Sequence, residues 1–206
     1  MVDGFHATVF AYGQTGSGKT FTMEGYEYQT ASKSAITNPD QRAGKVTIGP
    51  QDNFNNGLSV RAIKEAFRQV EEASKSKHIT ISCSFLQIYS EKVFDLLNTS
   101  KIKKSSGMPG KQDGLRVRWS QRHQFQVENL YVFKCNDAEH CLQYYNKGIK
   151  NKIVASHNLN HASSRSHCIF TLNFEITDNS AVDNEVTAKL QLVDLAGSER
   201  TSQTGA

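Results

Sequence analysis

A glycine-rich segment early in the chain has the residue types and spacing of a phosphate-binding loop. Residues 13–20 match the pattern G-x-x-x-x-G-K-[ST] at every fixed position. Glycines let the backbone curl with its N–H groups facing a phosphate, and Lys19 is placed to reach the β- and γ-phosphates of a nucleotide. The Thr20 hydroxyl is placed to ligate Mg²⁺. The segment consists of Gly13, Gln14, Thr15, Gly16, Ser17, Gly18, Lys19 and Thr20.

The flanking segments are those that a phosphate-binding loop requires. Residues 7–12 are apolar, β-branched and aromatic, and they predict a buried strand. Residues 21–24 can open a helix, whose N-terminus adds positive potential where phosphates bind. The alternative is a flexible glycine–serine loop without a ligand. It is disfavoured because lysine and threonine stand in register between a strand and a helix.

A carboxylate for Mg²⁺ is expected at the end of a neighbouring strand. Asp194 directly follows the apolar run at residues 190–193 and meets that requirement. Gly197, three residues later, offers a backbone N–H that can sense a γ-phosphate. An ordinary Asp–Gly turn after a strand is the alternative, and the presence of a complete phosphate-binding loop favours the functional interpretation.

A polar cluster at residues 160–167 reads Asn-His-Ala-Ser-Ser-Arg-Ser-His. Its hydroxyls can hold a nucleophilic water and complete the shell of Mg²⁺, and Arg165 can pair with a carboxylate such as Glu199. A polar linker with a helix cap is the alternative when the cluster is taken alone. A serine hydrolase is disfavoured, because the chain has no G-x-S-x-G elbow and neighbours on a strand point to opposite faces.

Composition and cysteine spacing indicate the class of protein. The 206 residues are 21% charged and 37% hydrophobic, as in a soluble globular domain. No apolar run approaches the roughly 18 residues of a membrane span, and no secretory signal is evident. The cysteines at 83, 135, 141 and 168 form no C-x-x-C pair. We therefore expect buried, reduced thiols of a cytosolic protein, and the spacing disfavours a zinc site.

Positive charge is concentrated in one segment. Residues 101–122 carry seven basic residues against Asp113 alone, which sums to +6, so the net charge of +4 leaves −2 for the rest of the chain. Such a patch indicates an acidic macromolecular partner. A solvated surface loop is the alternative, and the segment taken alone favours it. The basic residues are Lys101, Lys103, Lys104, Lys111, Arg116, Arg118 and Arg122.

The remaining patterns predict alternating helices and strands. Glycine, proline and polar residues mark residues 24–56 as a long insertion. Strands that alternate with helices around a phosphate-binding loop imply an α/β fold with a central sheet. The predicted helices cover residues 58–70 and 137–150, and the predicted strands cover 78–89, 168–177 and 186–193, with short strands between 115 and 132.

Together these segments resemble the motor domain of kinesins. The resemblance rests on the phosphate-binding loop, on N-x-x-S-S-R-S-H at 160–167, on D-L-A-G-S-E at 194–199, and on Q-I-Y-S-E-K-V-F-D-L-L at 87–97. It implies a P-loop NTPase fold with a central mixed β-sheet flanked by helices. The family's first strand, relay helix, final helix and neck linker have no counterpart. We therefore expect residues 1–206 to be a partial motor domain, truncated at both ends.

ATP and Mg²⁺ are the ligands that the resemblance implies. By position, residues 13–20 hold the phosphates, and Phe21 places its ring against the adenine. The implied ligands of Mg²⁺ are Thr20, Ser164 and Asp194, the aspartate acting through water.

The resemblance also implies two switch segments. The first covers residues 160–167 and holds the attacking water, and the second covers residues 194–199 and reads the γ-phosphate through Gly197. A latch between Arg165 and Glu199 joins the two switches. The implied catalytic set is Ser163, Ser164, Arg165, Gly197 and Glu199.

The implied activity is Mg²⁺-dependent ATP hydrolysis coupled to binding of, and movement along, microtubules. Microtubules are acidic, which strengthens the interpretation of residues 101–122 as a partner surface. We expect a cytoplasmic, cytoskeletal protein without nucleic-acid binding or membrane insertion, whose parent dimerises through a stalk outside this chain. A microtubule-binding module that no longer hydrolyses ATP is the alternative for a truncated motor. A GTP-binding switch is disfavoured because the chain has no N-K-x-D motif.

Overall fold

In the computed structural model, the described residues are 1–25, 56–98, 114–121, 124–158, 165–178 and 185–199. Most of the predicted insertion, most of the basic segment, and Ser163 and Ser164 lie outside these ranges. The described elements are β1 (Ala7–Ala11), α1 (Lys19–Glu24), α2 (Leu58–Ala73), β2 (Lys77–Tyr89), β3 (Lys92–Asp95), β4 (Val117–Ser120), β5 (Gln124–Val127), β6 (Phe133–Cys135), α3 (Ala138–Asn158), β7 (Ser166–Asp178) and β8 (Glu185–Asp194).

A six-stranded mixed sheet lies at the centre of the described chain. Its order is β1-β8-β7-β2-β3, with β6 also paired to β2. Strands β1 and β8 are parallel, whereas the other neighbours are antiparallel. Strands β4 and β5 form a separate two-stranded hairpin. The structure thus confirms the expected α/β fold with a central mixed sheet flanked by helices.

The long strands β2 and β7 carry the core on which α3 packs. Each strand has 13 residues, and the two pair along their whole length. Phe85 of β2 stacks on Tyr145 of α3 with ring centroids 5.5 Å apart, and it meets Phe170 of β7 edge-on at 5.3 Å. A Cβ on Gly148 of α3 would lie 2.2 Å from the Phe85 ring. The glycine therefore allows the helix to approach the sheet closely.

Helix α2 and the β2–β3 hairpin follow their sequence patterns. Val60, Ile63 and Ala66 are buried at the spacing of one helix face. Ser90 and Glu91 both have positive φ, 48° and 61°, as in the two-residue turns that suit the twist of a hairpin. Among the described helices, none combines the length and the apolar character needed to cross a bilayer.

Helix α3 is longer than the sequence pattern predicts. Asp137 caps its start as expected, since its carboxylate accepts the His140 backbone N–H at 2.7 Å. Lys147 and Lys150 indicated an end near residue 150, but the helix continues to residue 158. The cause is a tertiary contact, because Lys152 is buried and its ammonium reaches two carboxylates. Local charge alone does not reveal such a contact.

The ends of the predicted insertion at 24–56 meet at one place in the fold. Glu24, its first predicted residue, instead ends α1 and is buried. Gly25 caps that helix with a φ of 78°. A Cβ on Gly57, which precedes α2, would lie 2.5 Å from the Gly25 nitrogen. Gly25 and Gly57 therefore lie side by side in space. Residues 26–55, which connect them in the sequence, lie outside the described ranges.

Candidate functional site

Strands β1 and β8 bring the phosphate-binding loop and the predicted second switch to the same edge of the sheet. Their parallel register places Ala11 opposite Asp194, so the two following segments leave the sheet side by side. The Ser198 backbone N–H donates to the Gly13 carbonyl at 3.1 Å. The topology therefore joins segments that are far apart in the sequence.

The glycines of the loop occupy backbone conformations that other residues disfavour. Gly13, Gly16 and Gly18 have φ values of 154°, 81° and 88°. A Cβ on Gly13 would also lie 2.6 Å from Ser17 Oγ. Helix α1 begins at Lys19, directly after Gly18, and so includes the last two residues of the loop instead of starting at the predicted residues 21–24. The strand, loop and helix that the sequence pattern required are all present. Strand β1 is not the buried strand that residues 7–12 predict, because it lies at the end of the described sheet and leaves Phe10 61% exposed.

A cavity of about 310 Å³ opens beside this loop. Its volume is at the lower end of the range of small-molecule sites, about 300–1,000 Å³. Phe21 lies on its wall with 57% of its surface exposed, so its ring is available to stack on a planar ligand. Leu195, in the segment after β8, lines the cavity as well. The cavity thus lies between the loop and the predicted second switch.

The Lys19 ammonium is held within the phosphate-binding loop. It donates hydrogen bonds to the carbonyl oxygens of Gly13 and Gln14, each at 2.8 Å. Two backbone carbonyls therefore fix the cation at the place where the sequence pattern predicts phosphates.

Thr20 and Asp194 form the oxygen-rich part of the site. The Thr20 hydroxyl donates to Asp194 Oδ2 at 2.7 Å. Asp194 is 8% exposed, and its Oδ1 is buried without a hydrogen-bond partner in the described structure. A buried oxygen left unsatisfied costs free energy, so it marks a position for a water or a cation. Hydroxyl and carboxylate oxygens are ligands that Mg²⁺ accepts, and these residues fit that ion.

Lys152 is a site residue that the sequence analysis missed. Its Nζ lies 2.7 Å from Glu24 Oε1 and 3.1 Å from Asp194 Oδ2, and all three side chains are buried. One buried ammonium is thus shared by two buried carboxylates. A signal was available in the sequence. Lys152 follows the buried Tyr145 and Ile149 at the spacing of one helix face.

Glu199 binds the phosphate-binding loop, and the predicted latch is not formed. Its Oε2 accepts the Thr15 backbone N–H at 2.8 Å, and its Oε1 accepts the Thr15 hydroxyl. Donation by Thr15 lowers the pKa of Glu199. The expected partner, Arg165, is exposed. The contact is close, because a Cβ on Gly197 would lie 2.5 Å from Thr15 Oγ1.

His167 joins the two predicted switch segments and was given no role by the sequence analysis. Its Nδ1 accepts the Ala196 backbone N–H at 3.1 Å. The neighbouring Ser166 is buried, and its hydroxyl accepts a hydrogen bond from Gln87 Nε2 at 2.9 Å. Because adjacent residues on β7 face opposite sides of the sheet, these two side chains do not form a serine–histidine pair.

Comparisons with known proteins place this chain in a family. The chain matches the family described as the kinesin motor domain over residues 1–206. It is 36% identical to the kinesin-like protein KLP1 of Chlamydomonas reinhardtii, over 100% of this chain and 22% of that protein. It is also 36% identical to the kinesin-like protein KIF9 of Mus musculus, over 99% of this chain and 22% of that protein. A solved structure described as a fast kinesin is similar, with a TM-score of 0.74 and 30% identity, over 98% of this chain and 48% of that one.

The chain therefore belongs to the kinesin motor domain family and has the P-loop NTPase fold of the solved kinesin. It spans about a fifth of the length of the curated relatives described above and just under half of the solved kinesin chain.

Proposed function

We propose that this chain is the nucleotide-binding part of an ATP-dependent microtubule motor that hydrolyses ATP with Mg²⁺. One observation carries the proposal. The loop residue Thr15 donates a hydrogen bond to Glu199, which follows β8, and Thr20 of the same loop donates one to Asp194 at the end of β8. The phosphate-binding loop is thus hydrogen-bonded both to the carboxylate proposed for Mg²⁺ and to the proposed second switch. Membership of the kinesin motor domain family supports the assignment.

In this proposal the loop binds the phosphates of ATP. Its backbone N–H groups and the Lys19 ammonium surround the β- and γ-phosphates, and Phe21 stacks on the adenine. Catalysis then rests on positioning and electrostatics, because phosphoryl transfer needs little covalent participation by the protein.

The described residues that would hold Mg²⁺ are Thr20 and Asp194, and Ser164 is the further ligand implied by the family. When bound, Mg²⁺ neutralises charge that develops on the phosphate oxygens. Lys152 and Thr20 keep the Asp194 carboxylate in position, since Asp194 Oδ2 accepts hydrogen bonds from both, and Glu24 in turn holds the Lys152 ammonium.

We assign the switching step to Glu199. A bound nucleotide offers phosphate oxygens to the same Thr15 donors that Glu199 now uses. Replacement of the carboxylate by phosphate frees Glu199 to pair with Arg165, and the Gly197 N–H then meets the γ-phosphate. The carboxylate therefore exchanges between two partners, which is the kind of two-state element that γ-phosphate-dependent switches use.

Microtubules are the proposed partner of the longer protein, and the basic segment at 101–122 is a candidate contact with their acidic surface. The corresponding location is the cytoplasm, on the cytoskeleton. Dimerisation through a stalk outside this chain completes the proposal, which includes neither nucleic-acid binding nor membrane insertion.

The test is ATP turnover by the full-length protein with and without microtubules. Lys19→Ala is expected to abolish turnover, while Lys64→Ala, which removes an exposed lysine on α2, leaves it unchanged. Equal turnover by Lys19→Ala and the parent would contradict the assignment of the loop. Binding of ATP and microtubules by the parent without turnover would instead support a microtubule-binding module that no longer hydrolyses ATP.

A further inference from the structure

Three buried cysteines from separate elements meet in the core. Cys83 lies on β2, Cys135 ends β6, and Cys141 lies in the first turn of α3. Their sulfur atoms all lie within 4.8 Å of one another, and those of Cys83 and Cys135 are 3.5 Å apart. The fourth cysteine, Cys168, is not part of this group. The sequence could not indicate the cluster, because the fold alone brings the three residues together.

The backbone of three elements brings the three cysteines close together. Strands β2 and β6 are antiparallel, with Cys83 opposite Phe133 and Cys135 opposite Ile81. Cys83 and Cys135 therefore lie diagonally on one face of the sheet. Helix α3 begins three residues after Cys135 and places Cys141 over that face. All three side chains belong to the hydrophobic core, with exposed fractions of 0%, 4% and 0%.

The spacing suits a metal ion held by three sulfur ligands. A metal–sulfur bond of about 2.3 Å in a trigonal plane separates the sulfur atoms by about 4.0 Å. The observed contacts, one at 3.5 Å and all within 4.8 Å, require only small shifts to reach that value. A disulfide between Cys83 and Cys135 would require their sulfur atoms to approach from 3.5 Å to about 2.05 Å, which is a larger shift than the metal site requires.

We propose that Cys83, Cys135 and Cys141 form a buried trigonal thiolate site for one soft, thiophilic d¹⁰ ion, Cu(I). Thiolate ligands select soft ions, and structural zinc sites use four ligands, whereas the described residues supply three here. This assignment goes beyond the expectation of buried, reduced thiols and agrees with the expectation that the cysteine spacing disfavours zinc. The site is independent of the proposed ATPase, because Cys141 precedes Lys152 on α3 by three turns, about 16 Å.

The test is anaerobic titration of the reduced chain with Cu(I) against a chromophoric Cu(I) chelator. We expect the chain to withdraw one equivalent and to release protons as the thiols ionise. Cys83→Ser, Cys135→Ser and Cys141→Ser should each weaken binding by more than about 100-fold. Cys168→Ser is the matched control, because it removes a thiol that is equally buried but outside the cluster, and it should bind as the parent does.

X-ray absorption of the Cu(I)-loaded parent keeps the proposal testable if the cluster variants fail to fold by circular dichroism. Three sulfur neighbours around the metal would support the site. No stoichiometric uptake, equal loss of uptake in Cys168→Ser, or nitrogen and oxygen neighbours would overturn it. A parallel titration with Zn²⁺ distinguishes the two ions, since tighter binding of Zn²⁺ with a fourth oxygen or nitrogen ligand would refute the trigonal Cu(I) assignment.

Discussion

Removal of the Lys152 ammonium should destabilise the fold and disorder the carboxylate of the proposed magnesium site. Lys152→Met replaces the lysine by an uncharged side chain of similar length. It leaves Glu24 and Asp194 buried without their shared cation. The side chains of the three residues are only 3–10% exposed, so water cannot replace the ammonium. Removal of one partner from a buried ion pair costs about 3–5 kcal/mol. That is a large fraction of the roughly 5–15 kcal/mol that stabilises a typical domain.

Urea unfolding of the parent and the variant measures this loss. Lys150→Met is the matched control, because it removes an exposed lysine two residues earlier on the same helix, and it should change the free energy of unfolding by less than about 0.5 kcal/mol. The Glu24→Gln and Lys152→Met double variant should lose less than the sum of the two single changes, because it removes both charges of one pair. Equal stability of Lys152→Met and Lys150→Met would refute the argument that the buried cation holds the carboxylates.

The remaining predictions concern the switch and the basic segment. Gly197→Ala should displace the segment from Thr15 and lower ATP turnover in the full-length protein by about 100-fold, with ATP affinity nearly unchanged; a large loss of affinity in an equilibrium titration would contradict this. Glu199→Ala should likewise suppress hydrolysis and leave ATP binding nearly intact, so lost binding with normal turnover of the bound molecules would refute its role. Neutralisation of Lys101, Lys103 and Lys104 should weaken microtubule co-sedimentation, by less than about 1 kcal/mol per charge and most at low salt. An unchanged salt dependence would favour a solvated loop.

The sequence predicted those parts of the site whose roles depend only on neighbouring residues in the chain. The glycines of the phosphate-binding loop need their own backbone conformation, and Asp194 needs only the end of a strand, so both could be recognised from the residues around them. The sequence also predicted that all four cysteines are buried, and the structure confirms their burial.

Contacts across the fold could not be predicted in this way. Lys152 received no role because it follows the predicted end of the helix at residue 150, and its carboxylate partners are more than 40 residues away in the chain. Glu199 was assigned to Arg165, but the parallel pairing of β1 and β8 places it beside Thr15. The meeting of three thiols depends on the register of β2 and β6 and on the start of α3. Such contacts depend on the order and register of the strands, whereas the sequence indicates only the fold class.

The central claim is that the phosphate-binding loop and Asp194 form one site for ATP and Mg²⁺. Equilibrium titration of this chain with a fluorescent ATP analogue, with and without Mg²⁺, tests it directly. The parent should bind more tightly with Mg²⁺, and Lys19→Ala should lose about 100-fold or more in affinity, as expected for two charge-assisted hydrogen bonds. Asp194→Asn should bind the analogue but lose the Mg²⁺ enhancement. Equal affinity of the parent and Lys19→Ala, or an unchanged Mg²⁺ enhancement in Asp194→Asn, would contradict the claim.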